Sequence, residues 1–154
     1  MTQEQKEILL KDLCARLPYG VKISPKEKDT GEYDRKSGTN YIYPDVIDVE
    51  VFIPDGDDTR IEYGDRIVYL DNIQLYLRPL SSMTEEERKG LTEKGIYIDD
   101  DFDICQDAYE GRNISLKYVV SEYTDWLNEH HFDYRGLISM GLALEASEGM
   151  YKTV

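Results

Sequence analysis

The spacing of apolar positions changes several times along the chain, and each change marks an element. Leu9, Leu10, Leu13, Cys14 and Leu17 recur at the i, i+3, i+4 interval of one helix face, and Thr2 followed by Gln5 supplies a reciprocal cap. This predicts an amphipathic helix over residues 2–17, ended by Pro18 and Gly20, with Cys14 buried as a small hydrophobe. Val21 to Ser24 reads as a short strand. Residues 25–40 are nearly all polar apart from Tyr33 and predict an exposed, mobile loop or a long hairpin tip. From Tyr41 the period becomes two, through Ile47, Val49, Val51 and Ile53, which is the pattern of a half-buried strand. Pro54 to Asp58 is a turn, and Ile61, Tyr63, Gly64-Asp65 and Ile67 to Leu70 extend an antiparallel meander. Leu70, Ile73, Leu75 and Leu77 fit a further strand and a short helix equally well.

Residues 82–94 predict a surface helix, capped by Thr84 with Glu87 completing the box and stopped at Lys94-Gly95. Ile96 to Ile98 reads as a strand at a sheet edge. Val119, Tyr123, Trp126, Leu127 and His130 share one side of a helix over about 116–131, and Asp133 caps a second helix from Tyr134 to Met140, stopped by Gly141. Residues 142–154 read as a tail. The expectation is an α+β fold in a single domain over 1–154. An antiparallel β meander carries helices on one face, with an N-terminal helix and a C-terminal helix pair.

Composition narrows the class. At 154 residues, 40% hydrophobic and 32% charged, the chain is of ordinary single-domain size and too apolar for wholesale disorder. Its apolar runs fall far short of the ~20 residues a bilayer helix needs, and Glu4, Lys6, Glu7, Lys11 and Asp12 interrupt the N-terminus where a signal peptide is apolar, so a cytoplasmic location is expected. Asn113-Ile114-Ser115 matches a glycosylation acceptor only by chance in that setting. The net charge of −14 is uneven: residues 25–60 hold five basic against ten acidic residues, and 99–112 hold one against six. Such a surface repels phosphates, so direct nucleic-acid or anionic-membrane binding is disfavoured. Solubility accounts for the charge in the plainest way; an acidic nucleic-acid mimic is the sharper alternative.

Candidate chemistry is sparse. Asp99, Asp101, Asp103, Asp107 and Glu110 occupy positions 1, 3, 5, 9 and 12 of a calcium loop, which makes them candidate ligands for a weak Ca²⁺ or Mg²⁺ site. Against a true EF-hand, position 6 holds β-branched Ile104 where glycine is needed, and a strand-like segment enters the loop where a helix is expected. His130 and His131 are adjacent, not four apart, which is wrong for one metal ion on a helix; packing beneath Trp126 or a charge at the helix end suits them better. The chain has no Gly-x-Ser-x-Gly, P-loop or dinucleotide fingerprint, and no Cys-x-x-Cys. Cys105 lies among carboxylates that disfavour its thiolate. Thirty-two acids allow many accidental carboxylate pairs, so glycosidase-type pairing is undetermined. Thirteen tyrosines suit sheet positions and protein interfaces alike. Around the junction of the two expected C-terminal helices, His131, Phe132, Tyr134 and Arg135 are candidate protein-interface residues, with helix-corner packing as the competing reading.

Two phrases stand out as a pair: Tyr76-Leu77-Arg78-Pro79-Leu80-Ser81-Ser82-Met83-Thr84-Glu85-Glu86-Glu87, and Asp125-Trp126-Leu127-Asn128 through His130-His131-Phe132-Asp133-Tyr134-Arg135-Gly136-Leu137-Ile138 to Gly149-Met150-Tyr151. Together with the opening helix they resemble a group of small uncharacterised proteins from gut Bacteroidales, some carried in prophages or other mobile elements. The resemblance implies a bacterial or phage origin and an intracellular setting, and no activity or catalytic residue. The expected function is a non-enzymatic accessory or adaptor protein that binds a protein partner, with a homo-oligomer left open and no cofactor called for. A nucleic-acid mimic and a divalent-metal-dependent enzyme are the alternatives.

Overall fold

The computed structural model describes residues 1–151; the last three positions of the expected tail lie outside the described residues. Helix α1 (Gln3–Arg16) begins at Thr2, whose side chain accepts from the Gln5 N–H while Gln5 returns the bond to Thr2 N–H. Strands β1 (Lys22–Pro25), β2 (Asp29–Asp34), β3 (Thr39–Ile42), β4 (Ile47–Asp48), β5 (Val51–Ile53), β6 (Arg60–Tyr63), β7 (Arg66–Tyr69) and β8 (Ile73–Pro79) follow. Then come α2 (Glu85–Glu93), α3 (Leu116–Glu129), β9 (Phe132–Asp133) and β10 (Ala143–Glu145). The fold is α+β.

The strands form three separate sheets. The main one runs β10-β8-β1-β4, with β9 also paired to β8; a hairpin joins β2 and β3; and β5-β6-β7 is a three-stranded antiparallel meander. Residues 25–40, read as a loop or hairpin tip, are therefore largely hairpin, and they are mostly exposed as expected. The main sheet departs from the expected antiparallel pattern, because β9 and β10 both run parallel to β8.

Pairing across the sheet settles the strand-or-helix question at 73–77. Ile73 and Leu75 lie opposite Pro25 and Ile23, and Ile73, Leu75 and Leu77 are all fully buried while their neighbours are half-exposed. A two-residue period places all three on one side, as a strand requires. They join Leu9 and Leu13 of α1, Val21 and Ile23 of β1, and Ile61 and Val68 of the meander in the larger of two hydrophobic clusters. The smaller cluster gathers Leu91 of α2, Val119, Tyr123, Trp126 and Leu127 of α3, and Ile96, Tyr109 and Phe132.

Four local expectations fail for identifiable reasons. Cys14 is exposed; the inward face of α1 carries Leu9, Asp12, Leu13 and Arg16 instead. Residues 134–140 form a turn and not a second C-terminal helix, since Gly136 and Gly141 take positive φ and break the helical path. Asp133 still caps this turn, accepting from the N–H groups of Leu137 and Ile138 at 2.9 Å each. The beginning of the expected tail is strand β10, in register with Leu75 to Leu77. Ile98 pairs with Ile104 in an isolated bridge, not with a sheet edge.

Candidate functional site

The acidic stretch folds onto itself. Asp99 Oδ1 accepts from the N–H groups of Asp101 and Asp103 at 2.9 and 3.0 Å, and Asp99 N–H donates to Asp103 O at 2.8 Å. Positive φ falls on Phe102, whereas Ile104 closes the bridge to Ile98. Asp107 lies within a short 3₁₀ turn (Gln106–Tyr109) with Glu110 just after it. Among the described residues no group of three or more His, Cys, Asp or Glu side chains is placed to hold a metal ion. The spacing of a calcium loop is present, but Asp99 turns its carboxylate to the loop's own amides.

The C-terminal corner is built around buried charge. Asp12 and Arg16, both fully buried, are joined by two bonds, Nε to Oδ2 at 2.7 Å and Nη2 to Oδ1 at 3.0 Å. Arg16 Nη2 also donates to Phe132 O at 2.7 Å, and Arg135 Nε donates to Asp12 Oδ1 at 3.1 Å. Arg135 Nη2 reaches the Tyr134 hydroxyl at 2.8 Å, and that hydroxyl donates to Asn128 Oδ1 at 3.0 Å. Tyr134 and Arg135 thus tie the 133–140 turn to α1 and α3. Phe132 is fully buried, with the Arg78 guanidinium 4.1 Å above its ring, and His131 is 6% exposed. Of the four interface candidates, then, Phe132 and His131 offer almost no surface, and Tyr134 and Arg135 are half-buried with their polar groups engaged. Helix-corner packing places this quartet.

His130 stacks on Trp126 at 4.1 Å between ring centroids, as the sequence suggested for one of the pair. His131 follows α3 with φ of +62°, a position that usually takes glycine, and stacks on Tyr151 at 3.6 Å. Burial, with Arg16, His130, Arg78 and Lys22 adding positive charge nearby, pushes its imidazole down to about 3, so the ring is neutral near pH 7. Its Nδ1 is buried and has no hydrogen-bond partner among the described residues. An open cleft of about 630 Å³ passes over it, lined also by Tyr19, Lys22, Arg78, Glu129 and Tyr151. Lys22 pairs with Asp48 and Arg78 with Glu87, and among the described residues no Ser, Thr or Cys lines the cleft. An imidazole this weakly basic is poorly matched to proton transfer near neutral pH.

The meander presents a different kind of surface. Val51, Glu62 and Ile67 form one row across its three strands, and Ile53, Arg60 and Tyr69 form the next. The intervening row, Phe52, Ile61 and Val68, faces the core: Ile61 and Val68 are buried, and Phe52 packs against the same cluster. Alternation therefore turns the first two rows outward, leaving Val51 44%, Ile67 42% and Tyr69 50% exposed. Sequence reasoning placed these residues in the meander but gave them no surface role, because period two does not say which of two faces is covered.

No protein-family model, no curated protein and no solved structure matches this chain. No helix among the described residues is long and apolar enough to cross a membrane.

Proposed function

We propose that this protein acts without chemistry of its own, as an accessory or adaptor protein of a bacterial cell or one of its mobile elements, by binding another protein through the outer face of the meander. The observation that carries this reading is the pair of cross-strand rows, in which apolar and aromatic side chains on the outer strands flank Glu62 and Arg60 on the middle strand. A face that sets exposed apolar and aromatic side chains beside a central glutamate and arginine has the mixed composition of a protein interface, and tyrosine contributes a large ring at little entropic cost. The two most acidic segments support it indirectly. The apolar residues of 25–60 pack with the larger cluster and those of 99–112 with the smaller, so the two most acidic segments belong to different parts of the fold, which disfavours a single phosphate-like row.

The test is affinity capture from a Bacteroidales lysate at moderate salt, with the natural sequence and a Val51→Glu/Ile67→Glu variant run side by side. Both substitutions lie on the exposed face, so the fold is retained. A specific protein held by the natural chain and lost by the variant supports the reading. Identical recovery by both, or no specific protein and no self-association, overturns it.

A further inference from the structure

Strand β7 lies at the edge of its sheet, with β6 as its one neighbour. The Leu70 N–H donates to Thr59 O at 3.1 Å, which fixes the alternation of the antiparallel ladder. Val68 and Arg66 then exchange bonds with Ile61 and Tyr63, and the backbone groups of Ile67 and Tyr69 point away from β6. The Tyr43 hydroxyl confirms this direction by donating to Ile67 O at 2.9 Å from the far side. Among the described residues, no acceptor takes the N–H of Ile67 or of Tyr69. These two donors, two residues apart, open on a groove of about 400 Å³ that separates β7 from the β2–β3 hairpin. Glu27, Asp29, Glu32 and Asp65 line that groove, all four exposed. Its single basic residue, Arg66, is already committed to Glu32 at 2.7 Å and lies over the Tyr41 ring at 3.8 Å.

We infer that a cationic, extended segment of a partner protein adds as a strand along the edge of β7, bonding the Ile67 and Tyr69 N–H groups while Ile67 O keeps its bond from the Tyr43 hydroxyl. This rests on the protein-binding reading above and names the chemistry of the partner. Carbonyls at alternate positions of an extended chain match the Ile67 and Tyr69 donors, and lysine or arginine side chains between them meet the carboxylates of Glu27, Asp29 and Asp65, which Arg66 leaves uncompensated. A second copy of this chain fits badly, since it would bring an equally acidic groove against this one.

The experiment uses the full chain and two synthetic ten-residue peptides of alternating valine and charged residues, one carrying lysine and the other glutamate. Hydrogen exchange at individual amides is the readout. The lysine peptide slows exchange at Ile67 and Tyr69 at least tenfold, and its affinity falls with added salt; the glutamate peptide leaves both amides unchanged. Tyr69→Pro removes one donor at a position whose φ of −78° already suits proline, so the β6–β7 ladder survives. It weakens lysine-peptide binding tenfold or more relative to Tyr69→Thr, which keeps the N–H. Glu27→Gln/Asp65→Asn, which touches no ion pair, weakens binding several-fold and flattens the salt dependence. Unchanged exchange at Ile67 and Tyr69, or equal binding by the proline and threonine variants, overturns strand addition. A lysate partner lost by Val51→Glu/Ile67→Glu yet kept by Tyr69→Pro would sink this inference while leaving the protein-binding function standing.

Discussion

Asp12 and Arg16 are the residues on which the C-terminal corner depends, and their charge makes them unforgiving. Removing one member of a buried, hydrogen-bonded pair strands the other, at a cost of about 3–5 kcal/mol. Asp12→Ala is therefore expected to shift the urea midpoint sharply, because it also releases Arg135, whereas Asp12→Leu/Arg16→Met costs less than Asp12→Ala alone. His131 makes a separate prediction. Its folded value of about 3 lies below the ordinary 6.5, so the unfolded chain takes up a proton that the folded one refuses. The stabilising difference is whole above pH 6.5 and shrinks as pH falls toward 3. Between pH 6.5 and 4.5 the natural protein should lose about 2 kcal/mol more than His131→Gln, measured by urea titration at each pH. Equal losses would show that the ring protonates freely. Neither Asp12 nor Arg16 stands out in the sequence as a core residue. The apolar positions read as one face of this helix are Leu9, Leu10, Leu13, Cys14 and Leu17; Leu9 and Leu13 are fully buried and Leu10 and Leu17 pack against the same cluster, but Cys14, about 140° around the helix from Leu9, is exposed. The overlooked signal was the i, i+4 pairing of Asp12 with Arg16, which reads as an exposed ion pair until tertiary packing buries it.

At the scale of elements, capping and alternation were legible and chain reversal was not. Both reciprocal caps, Thr2 with Gln5 and Thr84 with Glu87, stand where the short-range pattern put them. The second is reinforced by Arg78, whose guanidinium donates to Glu87 Oε1 and Oε2 at 2.7 and 2.9 Å. Burial pushes the Glu87 carboxyl up, but the bonds from Arg78 and Thr84 outweigh it and hold the group below its usual range. Thr84→Ala should cost about 1 kcal/mol, read as a lowered melting temperature. The misjudged elements are those that depend on distant partners. Strand β10 has only three residues, too few for a periodic signal, and exists because Leu75 to Leu77 offer it an edge. Truncation after Gly141 deletes that strand together with Tyr151, whose hydroxyl donates to Tyr76 O at 2.7 Å and accepts from Lys22 N–H at 3.1 Å. The truncated chain is expected to lose its cooperative melt; a sharp transition near that of the full chain would show that residues 142–151 are dispensable.

For the whole molecule, the class was legible because it rests on sums: size, hydrophobic fraction and the order of periodic segments. The proposed binding face was not, because it rests on which face of a sheet is left bare. Thirteen tyrosines gave no address, yet Tyr43, just beyond β3, is buried in the core and Tyr69, on an outward row of the meander, is half-exposed. The acidic residues 99–110 matched a calcium spacing that the loop's internal bonds do not use, and the aromatic corner at 130–135 looked like an interface while serving as packing. The outer rows of the meander, by contrast, stay uncovered, with Val51, Ile67 and Tyr69 44%, 42% and 50% exposed. The most direct measurement is therefore the hydrogen-exchange footprint of the captured complex against the free chain. Protection confined to residues 51–53 and 60–69 is the predicted result, and protection at the cleft over His131 or at residues 99–110, with the meander unchanged, would contradict it.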